Sequence, residues 1–150
     1  MDSPVSRTIA CKLGFLFPLS LMLCTGCGGS KGPATFAVTG VVTRSGQPVE
    51  GATVQFFPAA EGMAAGGQAM TAADGAFEVE STFDAGKTMQ KGLPAGEYRI
   101  TVTKMEMPSG TPSFSRPPKN ALPAAYGVPE TSNLSVTVSP DGENRCELAL

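Results

Sequence analysis

The sequence predicts an all-β fold, a sandwich of seven short strands behind an N-terminal export signal. From Phe36 onward apolar residues recur at every second position, the period of a strand with one face buried. No stretch after Cys27 carries a helical period. Asp-Gly and Gly-Gln-Pro turn signals separate the alternating runs, and regularly spaced short strands between turns argue for a sandwich.

Each strand is read from its alternation. Phe36, Val38, Gly40 and Val42 share one face of the first, which spans Phe36 to Thr43. Val54 and Phe56 lie opposite Thr53, Gln55 and Phe57, and a weak strand follows near Gln68 to Thr71. Phe77 and Val79 alternate with Glu78 and Glu80. Tyr98, Ile100 and Val102 alternate with Arg99, Thr101 and Thr103, the clearest run in the chain. Leu134, Val136 and Val138, then Cys146, Leu148 and Leu150, complete the set. Asp74-Gly75 and Asp141-Gly142 read as hairpin turns, since glycine tolerates positive φ. Tyr98 follows Pro94-Ala95-Gly96, which places its ring inward and its hydroxyl on nearby backbone as in a tyrosine corner.

Composition narrows function. The chain has 150 residues, enough for one domain after a leader. Net charge is −2, with 11 basic and 13 acidic residues, so there is no electrostatic footprint for nucleic acid. There is no histidine, which excludes Ser-His-Asp and Cys-His catalysis and His-ligated metal sites. The Asp-Gly pairs lack calcium-loop spacing and read as plain turns. Ser109, Ser113 and Ser115 near Lys119 sit in a proline-rich loop without regular spacing and read as solvated. No catalytic residue, metal ligand or cofactor is expected.

The first 26 residues read as a signal peptide. Arg7 and Lys12 precede Leu13 to Leu23, an uncharged run of 11 residues. As a helix that run measures about 16 Å, half of a bilayer core, and Pro18 interrupts it. Small residues follow at Thr25-Gly26, as at a secretory cleavage site. Leu23-Cys24-Thr25-Gly26-Cys27 resembles a bacterial lipobox, which implies that Cys27 becomes the lipidated N-terminus. Several acyl chains at about 0.8 kcal/mol per buried methylene hold a protein firmly on a bilayer. The alternative is ordinary cleavage near Gly26 and a free exported domain. Gly28 stands where inner-membrane retention would call for aspartate, so the resemblance points to the outer membrane or the cell surface. Residues 27–35 form the lipidated cysteine and a flexible, Gly/Pro-bearing tether. Cys11 and Cys24 leave with the leader, so Cys146 remains alone and is expected in the core.

Within residues 36–150, several motifs in order carry a family resemblance. Val38-Thr39-Gly40-Val41-Val42, Gly46-Gln47-Pro48-Val49-Glu50-Gly51-Ala52-Thr53-Val54, Thr71-Ala72-Ala73-Asp74-Gly75-Ala76-Phe77 and Leu93-Pro94-Ala95-Gly96-Glu97-Tyr98 resemble the carboxypeptidase regulatory-like domain. That resemblance implies a prealbumin-like, seven-stranded Greek-key sandwich and a non-catalytic accessory or binding module. It implies no peptidase, because the zinc-dependent domain of those enzymes has no counterpart here. Related transthyretin-like hydrolases use histidines. Isopeptide-forming surface domains need a lysine on the first strand, and Phe36 to Thr43 has none.

One segment departs from the regular pattern. Met105 to Thr131 contains six prolines interspersed with Met105, Met107, Phe114, Leu122 and Tyr126. A connection this long inside a compact domain has either a function or no order. Two readings follow: a proline-stiffened ridge that docks a partner, or a flap in which Leu122 and Tyr126 cover the sandwich edge. Under the first, Met107, Phe114, Arg116 and Lys119 are the candidate contacts. The expected function is a lipid-anchored envelope module with a structural or protein-interaction role. The expected partners are the membrane, through the lipid, and an envelope protein or glycan. The alternative is a carbohydrate- or small-ligand-binding domain.

Overall fold

The computed structural model describes residues 33–60, 65–107 and 117–150, so the expected signal peptide and Cys27 lie outside the described residues. Twelve short strands and two 3-10 turns form among these residues, with no α-helix. The strands are β1 (Val38–Arg44), β2 (Gln47–Pro48), β3 (Thr53–Pro58), β4 (Gly67–Met70), β5 (Ala76–Glu78), β6 (Glu80–Phe83), β7 (Thr88–Lys91), β8 (Gly96–Thr103), β9 (Met105–Glu106), β10 (Lys119–Asn120), β11 (Leu134–Val138) and β12 (Asn144–Ala149). One sheet runs β11-β8-β3-β4-β6-β7. A smaller one runs β12-β1-β2, with β5 also on β1, and β9 pairs only with β10. All pairings are antiparallel except β1 with β12.

The inward residues of both sheets form one core. Val38, Val42, Phe77, Cys146 and Leu148 come from the small sheet, and Val54, Phe56, Tyr98, Ile100, Val102 and Val138 from the large one. The rings of Phe56 and Phe77 meet between the layers, centroids 6.2 Å apart. Gly40 lets this happen, because a Cβ there would overlap the Phe77 ring and the Cys146 carbonyl. The Tyr98 hydroxyl donates to the Pro94 carbonyl at 2.9 Å, so a fully buried phenol keeps a partner.

Three sequence readings need correction. The Asp-Gly turns are not ladder hairpins: β4 and β5 lie in different sheets, and so do β11 and β12. At the first, Gly75 adopts φ +76°, the Asp74 carboxylate accepts from the Ala76 N–H at 3.0 Å, and the chain arches between layers. The strand read through Phe77 and Val79 is two strands. Val79 donates to Val38 and accepts from Gly92, which moves the chain from β5 in one sheet to β6 in the other. The β6–β7 hairpin is absent from the alternation reading because the inward side of β6 is Ser81 and Phe83, and a polar residue there interrupts the apolar signal.

Thr71 locks the corner where the small sheet hands the chain to β3. Its hydroxyl donates to the Val49 carbonyl at 2.6 Å and accepts from the Ala52 N–H at 2.8 Å, and the side chain is buried. Thr71→Val keeps the shape and leaves two buried backbone groups unpaired. Chemical denaturation should show a loss of about 3 kcal/mol for it, whereas Thr71→Ser should keep most of the parent stability.

Candidate functional site

Register gives the domain two distinct ends. At one, Phe36 bridges Leu93, Val38 faces Asn144 and Gly96 faces Val138. At the other, Thr103 faces Thr53 and Thr43 faces Ala149. The Arg44 guanidinium ties the small sheet to the chain just after β10 there, by donating to the Ala121 carbonyl at 3.1 Å. The described chain enters the domain at the Phe36 end. The eight residues of β8 carry the chain to the opposite end over about 23 Å, and the segment from Met105 starts there.

That segment begins as a two-stranded stem. Glu106 faces Lys119 and Met105 faces Asn120. Asn120 clamps its base, with Oδ1 accepting the N–H of Lys104 at 3.0 Å and of Leu122 at 3.1 Å. Ala121 N–H donates to the Lys104 carbonyl at 2.8 Å. Leu122 is buried in the core, and Tyr126 is half-buried in the 3-10 turn Ala124–Gly127. The turn packs on β8, with Thr131 Oγ1 donating to the Ala125 carbonyl at 2.9 Å and Ser132 Oγ to that of Ile100. Arg99 donates to the Pro129 carbonyl at 3.3 Å. This cover explains why Thr101, which the alternation points outward, is buried.

The two readings of the segment therefore divide along its length. The part from Leu122 to Ser132 is cover. The stem carries the exposed groups: Met105 at 58% and Met107 at 54% exposure, Lys119 beside them, and a Lys104–Glu106 ion pair at 3.2 Å. Phe114 and Arg116, the other two candidate contacts, lie outside the described residues. Asn120 and Arg44 organise the stem, and neither stands out in the sequence. Their role comes from backbone groups they meet only after the layers assemble.

Two hollows of the described surface, one of about 540 Å³ between Phe36 and Arg145 and one of about 370 Å³ between Phe57 and Gln68, are of ligand size. A cleft under the stem, between Arg44, Pro48, Lys104 and Leu122, holds about 210 Å³, below the usual range for a ligand pocket. A hollow of about 550 Å³ lies over β1 and β5, between Thr39, Met70, Phe77 and Arg145. Among the described residues, the exposed large apolar side chains are Phe57, at 37%, four methionines and a valine. Burial raises the Cys146 thiol above its usual 9.0 and the Tyr98 phenol above its usual 10.0, so Cys146 stays a protonated thiol near neutrality. Compared with protein-family models, curated proteins and solved structures, the chain gives no significant match.

Two predictions come from this geometry. Asn120→Ala and Leu122→Ser should each lower stability by about 2 kcal/mol, while Met107→Ser should leave the melting temperature unchanged, all read by thermal denaturation. Both raised pKa values belong to acids, so the unfolded chain ionises first. Stability should hold from neutrality to about pH 8 and fall as pH passes 9 to 10, with a shallower fall in Cys146→Ala.

Proposed function

We propose that this protein is a non-catalytic, lipid-anchored module of the cell envelope that holds an interaction surface away from the membrane. Its architecture on this reading is the Greek-key sandwich of the carboxypeptidase regulatory-like family. The seven alternating runs read from the sequence fall on β1, β3, β4, β5 with the start of β6, β8, β11 and β12, and β2, β7, β9 and β10 lie outside them.

The observation that carries the reading is the polarity of the domain. The first bridge, at Phe36, falls nine residues after Cys27, so a lipid on Cys27 keeps that end within about 30 Å of the bilayer. The methionine-bearing stem projects from the other end. Exposed methionines are adaptable contact residues, and the Asn120 clamp holds them on a defined base. A non-catalytic role is supported by a sequence without histidine and by Ser81, Ser132, Thr71 and Thr131, whose hydroxyls are bound to backbone carbonyls.

Anchoring is the testable core of the proposal. In a bacterial host, the parent protein should enter the detergent phase on phase partitioning and take up acyl label. Cys27→Ser should move it to the aqueous phase and abolish the label. Unchanged partitioning of that variant would overturn the proposal.

A further inference from the structure

The free edge of β12 has the geometry and charge of a self-recognition surface. β12 pairs only with β1 among the described residues. The N–H and C=O of a strand residue point to one side, and successive residues alternate. The Leu150 N–H donates to the Thr43 carbonyl, and the Cys146 carbonyl lies over Gly40. The even-numbered residues of β12 therefore face β1, and Arg145, Glu147 and Ala149 turn their backbone groups outward. The Arg145 N–H folds back onto the Glu143 carbonyl at 3.0 Å. Its carbonyl, and both groups of Glu147, are left to the edge.

The side chains of Arg145 and Glu147 stand two residues apart on the exposed face of this strand. Neither forms an ion pair among the described residues. Of the antiparallel registers that set outward residues of two β12 strands opposite each other, two centre on the stretch from Arg145 to Glu147, where the Glu147 N–H and the Arg145 carbonyl are both free to pair. One sets Glu147 against Glu147, a like-charge contact that destabilises a ladder. The other sets Arg145 of each copy against Glu147 of the other, giving two opposite-charge pairs about one two-fold axis. Its central pair is Cys146 with itself, a small side chain at the closest approach, about 4.5 Å between Cα atoms.

We infer that the protein forms a two-fold homodimer by antiparallel pairing of β12, in the register that places Arg145 opposite Glu147. The two small sheets then become one continuous sheet, and two free edges disappear at once. The same side of the domain carries Leu134, Val136 and Leu150, which are only partly buried in a single chain. Antiparallel pairing turns the two domains end for end, so both Phe36 ends reach one bilayer when the paired strands lie along it, and the two stems then point to opposite sides. In this register the two Asn144 positions lie four residues apart along the ladder, about 13 Å, well within tether reach.

The test is charge reversal on the purified full-length protein in detergent, with mass followed by sedimentation velocity over graded concentrations. The parent should shift from monomer to dimer. Arg145→Glu should weaken association by about tenfold or more. Adding Glu147→Arg to that variant should restore the dimer, because the opposite-charge pairs re-form with their signs exchanged. Both positions are exposed, and unchanged melting curves will show that the variants are folded. A parent that stays monomeric, as it would if this edge served a strand of another protein, overturns the proposal. So does a dimer indifferent to Arg145→Glu, or one that the double reversal fails to restore.

Discussion

Strand β8 must be covered on both faces, and most of the molecule is arranged to do that. Its inner face supplies Tyr98, Ile100 and Val102, three side chains fully removed from water. Burying side chains of this size contributes roughly 1.5–3 kcal/mol each. Its outer face would leave Thr101 and the backbone beside it wet in a simple two-layer sandwich. Here the chain from Leu122 to Ser132 returns across it, tied down by Arg99, Thr131 and Ser132. The long proline-rich connection is thus partly a third layer, and its prolines suit a stretch that follows a surface without joining a ladder.

Covering β8 in this way sets the position of everything at the far end. Because Leu122 has to reach the core, the chain must come back from β9 at a fixed point, and Asn120 holds that point by accepting two backbone N–H groups at once. The stem is a consequence of this return. Met105, which faces solvent on it, lies across the ladder from Asn120, two residues before the buried Leu122. Packing of Leu122 and exposure of Met105 are coupled through the same short stretch of backbone, at the end of the domain opposite Phe36.

The turns between layers explain why edges remain. Asp74-Gly75 and Asp141-Gly142 send the chain across the core instead of along a sheet, so the last two strands finish as the borders of two different sheets. A hairpin at the second turn would have protected one strand with the other. An arch leaves β11 and β12 each with a single neighbour among the described residues. Charged outward side chains on β12 limit indiscriminate pairing, and their alternation in sign makes one register more favourable than the next.

Much of the fold is legible in the sequence because alternation reports which side of a strand meets water. Val38, Val42, Val54, Phe56, Phe77, Ile100, Val102, Cys146 and Leu148 are buried as their spacing predicts, and the Tyr98 hydroxyl finds backbone just upstream. Alternation carries no information about which strand lies alongside. The parallel pairing of β1 with β12, the passage from β5 to β6 at Val79 and the arching of both Asp-Gly turns were decided by the packing of two layers around Phe56 and Phe77. The candidate contacts divide the same way. Met107 and Lys119 are exposed, as a polar, proline-rich segment suggests, but the clamp that holds them depends on Asn120 meeting Lys104 and Leu122. Hydrophobic periodicity is a property of one strand, and a neighbour is chosen by the free energy of the whole core.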